Sequence, residues 1–126
     1  MSFSNTYETT VLQWTFTNGA VTRPTAWYIG LFTAAPGEAG GGTEVSGGGY
    51  VRKAVTFSVS GNLATNSAAV EFDVATADWG TITDIAVFDA STGGNQIAYA
   101  TLTTSKTIAT GDVLRVPAGD LDITLD

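Results

Sequence analysis

Cysteine and histidine are both absent from the 126 residues of this chain. Without cysteine the chain has no disulfide, no thiolate metal ligand and no cysteine nucleophile. Without histidine it lacks the commonest general base and the commonest zinc ligand of proteins. Because these two absences remove most catalytic and metal-binding motifs, we expect a protein that is not an enzyme and that holds no metal ion or cofactor.

Positive charge and long apolar runs are also scarce. Five basic residues stand against 12 acidic ones, for a net charge of −7, and only Arg52 and Lys53 are adjacent. A nucleic-acid-binding surface needs a basic face that displaces counterions, so we expect no nucleic-acid partner. The same deficit disfavours an anionic membrane surface, and no apolar run approaches the ~20 residues of a membrane-spanning helix. The start of the chain has no basic region followed by an apolar one, which predicts no signal peptide.

Small, β-branched and turn-forming residues dominate what is present. The chain has 15 glycines, clustered between apolar segments, and apolar residues make up 44% of it. Threonine, valine, serine and glycine in this abundance favour strands joined by turns. A chain of this length is sufficient for one domain with a sizeable core. We therefore predict a single β-sandwich domain over residues 1–126.

The clearest strand covers residues 77–89 and is closed by the turn-forming residues 93–95. A strand that is apolar on both faces is usually covered on both sides, which predicts a central position. Strict alternation assigns its apolar residues to two faces: Ile82, Ala86 and Phe88 on one, and Ile85 and Val87 on the other.

Shorter strands are predicted on both sides of this one. They cover residues 26–33, 50–59, 68–74, 96–102, 113–117 and 121–125, with short additions near Leu63 and at 106–108. In one of them, alternation places Val70, Phe72 and Val74 inside. The glycine-rich residues 40–49 lack the ending of a phosphate-binding loop and predict an exposed, bent loop. The fold class is mainly β: an antiparallel β-sandwich of seven or eight short strands within residues 26–126, with one N-terminal helix.

The N-terminal residues 4–18 carry signals for both a helix and a strand. Asn5 as N-cap, followed by Glu8, has the pattern of a capping box, and the Asn-Gly pair at 18–19 is a helix stop. Tyr7, Val11 and Trp14 then share one helical face, whereas Leu12, Trp14 and Phe16 alternate as in a strand, among many threonines. We predict a helix over residues 4–18.

The acidic residues offer no catalytic pattern. A glycosidase needs two opposed carboxylates, and spacing alone brings no pair together among Asp73, Asp78, Asp84 and Asp89. Asp78, Asp89 and loop carbonyls are oxygen ligands of the kind that calcium binds, but the chain has no Asp-x-Asp-x-Asp-Gly loop.

Asp84 is unusual because it lies in the middle of the central strand. If its face is buried, its carboxylate needs a donor. The candidate partners are Arg52, Lys53 and Arg115.

The aromatic residues permit two interpretations. Trp14, Trp27 and Trp79, with the tyrosines, could form a platform on which sugars stack. More often, tryptophans at strand starts anchor a core or an interface, and we favour that interpretation.

Three segments together resemble a known family. They are PGEAGGGTEVSGGGY at residues 36–50, ATADWGTIT at 75–83 and VFDASTGGN at 87–95. In this combination the chain resembles a family of small bacteriophage virion proteins that are commonly described as phage tail fibre or minor tail proteins. The resemblance extends to the N-terminal segment, which is helical in relatives, and to residues 113–125.

The resemblance implies a non-enzymatic structural protein of a tailed phage (a tail fibre, minor tail, neck or baseplate protein), located in the virion, on the tail or on the capsid surface. We expect it to act as a symmetric homo-oligomer, with a trimer favoured, in contact with other virion proteins. Tyr50, Trp79, Gly80 and Asn95 are the candidate residues for an interface or surface recognition. A capsid decoration protein is one alternative, and a carbohydrate-binding module that recognises a host-surface glycan is another.

Overall fold

A computed structural model describes residues 1–125, over which the chain forms one helix and eleven strands. In chain order they are β1 (Ser2–Phe3), α1 (Asn5–Phe16), β2 (Tyr28–Ala34), β3 (Thr43–Glu44), β4 (Lys53–Ala54), β5 (Phe57–Ser60), β6 (Leu63–Asn66), β7 (Val70–Glu71), β8 (Gly80–Phe88), β9 (Gln96–Ile108), β10 (Arg115–Val116) and β11 (Asp122–Thr124). Every strand pair is antiparallel. The mainly β class with one N-terminal helix is confirmed.

Three sheets contain these strands. The largest has the order β1-β9-β8-β2-β3, with β4 also paired to β2, and β8 lies at its centre as predicted. The second sheet is the pair β7-β10, and the third has the order β5-β6-β11. The number of strands exceeds the predicted seven or eight because several strands are only two residues long. Two residues are too few to show the alternation of apolar and polar residues that predicts a strand.

The core lies between the large sheet and the two small ones. Ile29 and Ile85 of the large sheet belong to one buried cluster with Phe72 and Val116 from the β7-β10 side. A second cluster joins Val87 and Ile97 of the large sheet to Ile123 of β11. Two layers packed through apolar faces are the usual way for sheets to bury their inner surfaces.

The alternation predicted for β8 is wrong at one point. Between the pairs Ile82–Lys106 and Asp84–Thr101, one residue of β8 stands opposite four residues of β9, so the pairing contains a large bulge. A bulge rotates the strand and changes which face a residue occupies. As a result Ile82 packs in the same cluster as Ile85, and not with Ala86 and Phe88.

Helix α1 agrees with the predicted helix, but its N-cap differs. Ser4 occupies the cap: its side-chain oxygen accepts from the backbone N–H of Tyr7 at 3.3 Å, and its hydroxyl donates to the carbonyl of Gln96. Asn5 is therefore the first helical residue and not the cap. No residue of α1 is buried. No helix within residues 1–125 is long and apolar enough to cross a membrane.

Three further segments differ from the predictions. The single strand over 50–59 is two strands, β4 and β5, which pair in different sheets. Within 68–74 only Val70–Glu71 is strand, and Val74 is 54% exposed instead of inside. Residues 40–49 are not simply an exposed loop, because they contain β3 and the buried Val45.

Candidate interaction surfaces

Trp79 lies inside the chain's own core. Its side chain is 6% exposed and contacts Tyr50 edge-on, with ring centroids 5.5 Å apart, and Phe72 at 6.4 Å. The indole N–H donates to the carbonyl of Gly48 at 2.8 Å, so its one polar group is satisfied. Gly48 has φ +61°, and a Cβ there would stand 2.9 Å from the indole ring. The ring of Trp79 is thus occupied by intrachain packing, while a contact role for it stays a prediction.

Tyr50 belongs to a polar cluster that we call the Arg52 network, formed by Glu44, Tyr50 and Arg52. The guanidinium of Arg52 donates twice to the carboxylate of Glu44, both at 2.8 Å, and the Tyr50 hydroxyl donates to the same carboxylate at 2.6 Å. The Tyr50 oxygen also accepts from the backbone N–H of Leu31 at 3.0 Å. The guanidinium lies 3.5 Å from the ring centroid of Phe88, which adds a cation–π contact.

The Arg52 network connects three parts of the chain. Arg52 donates to the carbonyls of Ala90 and Gly93, so the loop after β8 is tied to the segment after β3. Its side chain is only 8% exposed, against 25% for Glu44. All three guanidinium nitrogens of Arg52 donate to acceptors, so its mostly buried charge is paired and has a structural role. These bonds fix the position of Glu44, at the end of β3, relative to the loop after β8.

The pKa values of the network reflect burial and pairing. Burial by itself would raise the pKa of Glu44, but the bonds from Arg52 and Tyr50 outweigh it and hold that pKa below its usual value. Burial, together with the hydrogen bond to the Glu44 carboxylate, raises the pKa of Tyr50 well above its usual value. Burial lowers the pKa of Arg52, yet Glu44 more than compensates, so the Arg52 pKa is also raised. The pair is therefore ionised at neutral pH.

Gly80 and Asn95 lie at the two ends of the β8 segment. Gly80 has φ +86°, a left-handed conformation that side chains rarely adopt. Asn95 is exposed, and both its backbone N–H and its side-chain amide donate to Asp89, at 2.7 and 3.0 Å. Asn95 therefore closes the loop over residues 89–95, and both residues stay predictions as contact residues.

Asp84 is 3% exposed, but none of its predicted cationic partners contacts it. Its carboxylate accepts from the hydroxyls of Thr83, at 2.7 Å, and Thr101, at 2.9 Å. Arg52 pairs instead with Glu44, and Lys53 with Asp73 at 2.8 Å. The predicted ion pair is wrong because Asp84, next to the bulge in the β8–β9 pairing, stands opposite Thr101.

Two further acids, Asp78 and Asp112, hold backbone groups. Asp78 accepts from the N–H and hydroxyl of Thr110, and Asp112 accepts from the N–H of Ala109. Among residues 1–125 no three acidic side chains gather where they could hold a metal ion.

A polar crevice of about 420 Å³ lies beside the Arg52 network, between the glycines at 40–42 and Gln96. Three of its polar side chains already have intrachain partners: Arg52 binds Glu44, Asn95 binds Asp89, and Gln96 donates to the carbonyl of Gly37 at 2.8 Å. The crevice thus offers few unused donors to a ligand.

A large exposed apolar surface lies on and beside α1. Leu12, Trp14 and Phe16 are 58%, 69% and 78% exposed. On a helix, Leu12 and Phe16 are one turn apart and lie on the side opposite Tyr7, Val11 and Trp14. The alternation of Leu12, Trp14 and Phe16, which resembled a strand in the sequence, is the signal of a helix with two apolar sides. Sequence reasoning missed these residues as candidate contacts.

More exposed apolar residues lie next to α1. Trp27, Val59 and Leu125 are 37%, 75% and 53% exposed and line a hollow of about 480 Å³ together with Tyr7. Monomeric proteins rarely leave a contiguous apolar surface of this kind in water unless it is an interaction site.

The comparison with protein families gives a match over nearly the entire chain. The family described as podophage GP4 fiber I protein gp80 matches residues 2–124. No curated protein matches the chain. With a match of this extent, and a mainly β fold of the expected class, the chain belongs to the podophage GP4 fiber I protein gp80 family.

Proposed function

We propose that this fibre-family protein is a non-enzymatic component of a phage tail fibre that acts by assembling with copies of itself and with other virion proteins. One observation carries the proposal: α1 buries none of its residues, although it contains three large apolar side chains, Leu12, Trp14 and Phe16. Leaving such side chains in water gives up the burial free energy of roughly 1.5–3 kcal/mol each. Contact with another subunit recovers it.

A trimer is the favoured form. Homo-oligomers generally have closed symmetry, and a threefold axis is the arrangement we expect for a fibre. Sedimentation velocity and native mass spectrometry of the purified chain should give three times the protomer mass of 13.0 kDa. A chain that stays monomeric at micromolar concentration would contradict self-assembly.

The position in the particle distinguishes the tail fibre from a capsid decoration protein. The fibre family name supports the tail. Gold-labelled antibody against this chain should mark tail appendages of intact particles by electron microscopy. Label spread evenly over the capsid would support the decoration alternative instead.

A carbohydrate-binding module is the second candidate, because two tryptophans are available to a ligand. Trp14 is 69% and Trp27 is 37% exposed, and exposed indole faces are typical sugar-stacking groups. A glycan array should detect binding that is lost in Trp14→Ala and Trp27→Ala. An array without signal, with both indoles still quenched by acrylamide, would exclude this function.

A further inference from the structure

The exposed side of α1 has the shape of a ridge. We call Leu12 and Phe16 the ridge; they are four residues apart, so their side chains are neighbours along one side of the helix. Both are more than half exposed, and neither lines any of the hollows beside α1. Glu8 precedes Leu12 by one turn and gives the same side an acidic end.

The other side of α1 borders a concave apolar surface. Two hollows, of about 480 and 360 Å³, share Tyr7 and Arg23 and so form one continuous depression, which we call the groove. Its floor includes the buried Ile97 and Ile123. Its exposed apolar lining residues are Trp14, Trp27, Val59 and Leu125.

We propose that the ridge of one copy binds in the groove of the next copy. This inference rests on the proposed self-assembly and specifies its contact. The ridge and the groove are different surfaces of one chain, so the contact is head-to-tail, and each subunit gives its ridge to one neighbour and its groove to the other. Three such contacts close a ring, which is how head-to-tail interfaces generate cyclic symmetry.

The exposed area is adequate for the centre of such an interface. Aromatic side chains bury roughly 150–250 Å² each, so the exposed fractions of Trp14, Trp27 and Phe16 amount to roughly 370 Å². Leu12, Val59 and Leu125 add further apolar area. A stable interface buries about 1,600 Å² over both partners, with an apolar centre and a polar rim, and these six side chains, two from the ridge and four from the groove, supply such a centre.

Charge complementarity, and the covering of both apolar surfaces by one contact, also favour this pairing. Arg23 is the basic residue of the groove, and Glu8 flanks the ridge; within residues 1–125 neither of them forms an ion pair. Opposite charges at the edge of an interface guide docking. The alternative contact, in which the ridges of several copies pack on each other, would leave the groove exposed, whereas the head-to-tail contact covers both surfaces.

A complementation experiment tests the inference. The ridge variant carries Leu12→Gln and Phe16→Gln, and the groove variant carries Val59→Gln and Leu125→Gln; all four side chains are at least half exposed, so both variants should fold. Each variant alone should sediment as a monomer. Their equimolar mixture should form heterodimers and nothing larger, because it contains one intact ridge that fits one intact groove.

The outcomes separate this inference from the proposed function. A groove variant that still assembles like the wild type would overturn the ridge-and-groove contact and leave self-assembly standing, and so would a mixture that stays monomeric while the wild type is oligomeric. A monomeric wild type would overturn both. Circular dichroism spectra and melting temperatures of the isolated variants, compared with the wild type, control for loss of fold.

Discussion

Trp79 and Trp14 show that two regions of this protein differ in how far they bury their apolar side chains. Trp79 is 6% exposed, packs on Tyr50 and Phe72, and donates its N–H to a carbonyl. Trp14 is 69% exposed, on a helix with no buried residue. Around Trp79 the sheets satisfy their apolar and charged groups within the chain, while α1 and the groove beside it leave large apolar side chains in water. The difference indicates that stability comes from the first region and assembly from the second.

The largest effect should come from removing the indole of the sheet region. Trp79→Ala should lower the free energy of unfolding by about 3–5 kcal/mol, because it leaves a cavity between Tyr50 and Phe72. Trp14→Ala is the matched control and should change it by less than about 0.5 kcal/mol in the monomer. Urea titrations of both variants measure this, and equal losses would remove the contrast between the regions.

The next largest effect should come from the Arg52 network. Arg52→Met leaves the Glu44 carboxylate without its bidentate partner and should cost about 3 kcal/mol. Lys53→Met is the control, since its pair with Asp73 is solvent-exposed and such pairs contribute about 0–1 kcal/mol. Thermal unfolding of the two variants at neutral pH measures the difference. Similar losses from both would mean that the network is only a surface contact.

A pair of neighbouring glycines tests how tightly the loop is fitted to Trp79. Gly47 and Gly48 both have positive φ, so alanine is strained by about 1–2 kcal/mol at either position. Only at Gly48 would the new Cβ also meet the indole, at 2.9 Å. Gly48→Ala should therefore destabilise more than Gly47→Ala, by about 1 kcal/mol in urea titrations. Equal effects would show that the loop moves away from Trp79 without cost.

The strands of the centre were predictable because their apolar pattern is long. β8 and β2 have apolar residues on both faces, which identified them without knowledge of their partners. The bulge was not predictable, since it depends on the four residues of β9 that stand opposite Thr83 of β8. The same bulge decides the environment of Asp84, and for this reason its proposed ion pair was wrong.

The interaction surfaces were less predictable than the fold. The capping pattern and apolar spacing predicted α1, although Ser4 and not Asn5 is its N-cap. Tyr7 and Leu12 lie on opposite apolar sides, and sequence cannot decide which side turns inward. The pairing of Glu44 with Arg52 depends on β3 folding back onto β2. A strand of two residues is too short to be predicted from a sequence pattern. Trp79 was an interface candidate, and only the packing of Tyr50 and Phe72 around it reveals its core position.

Acid should weaken the Arg52 network, because the pKa of its Glu44 carboxyl group is lowered in the folded chain. The pKa of Glu44 is lower in the folded chain than its ordinary value of 4.5, so below that value the unfolded chain binds more protons at this site. The stabilisation from Glu44 is complete above the unfolded pKa and is lost as pH falls through the folded pKa. Unfolding titrations between neutral pH and acid should show a shallower decline in Glu44→Gln than in the wild type. An identical acid slope in both would contradict the pKa shift.

The smallest effect on the isolated chain should come from the ridge. Leu12→Gln with Phe16→Gln replaces side chains that are already 58% and 78% exposed, so the unfolding free energy of the monomer should change by less than about 0.5 kcal/mol. Assembly adds stability by mass action, and the melting temperature of the wild type should therefore rise with protein concentration. The ridge variant should melt at one temperature across the same dilution series. A ridge variant that still gains stability with concentration would show that assembly does not need the ridge, and α1 would then no longer differ in function from the core around Trp79.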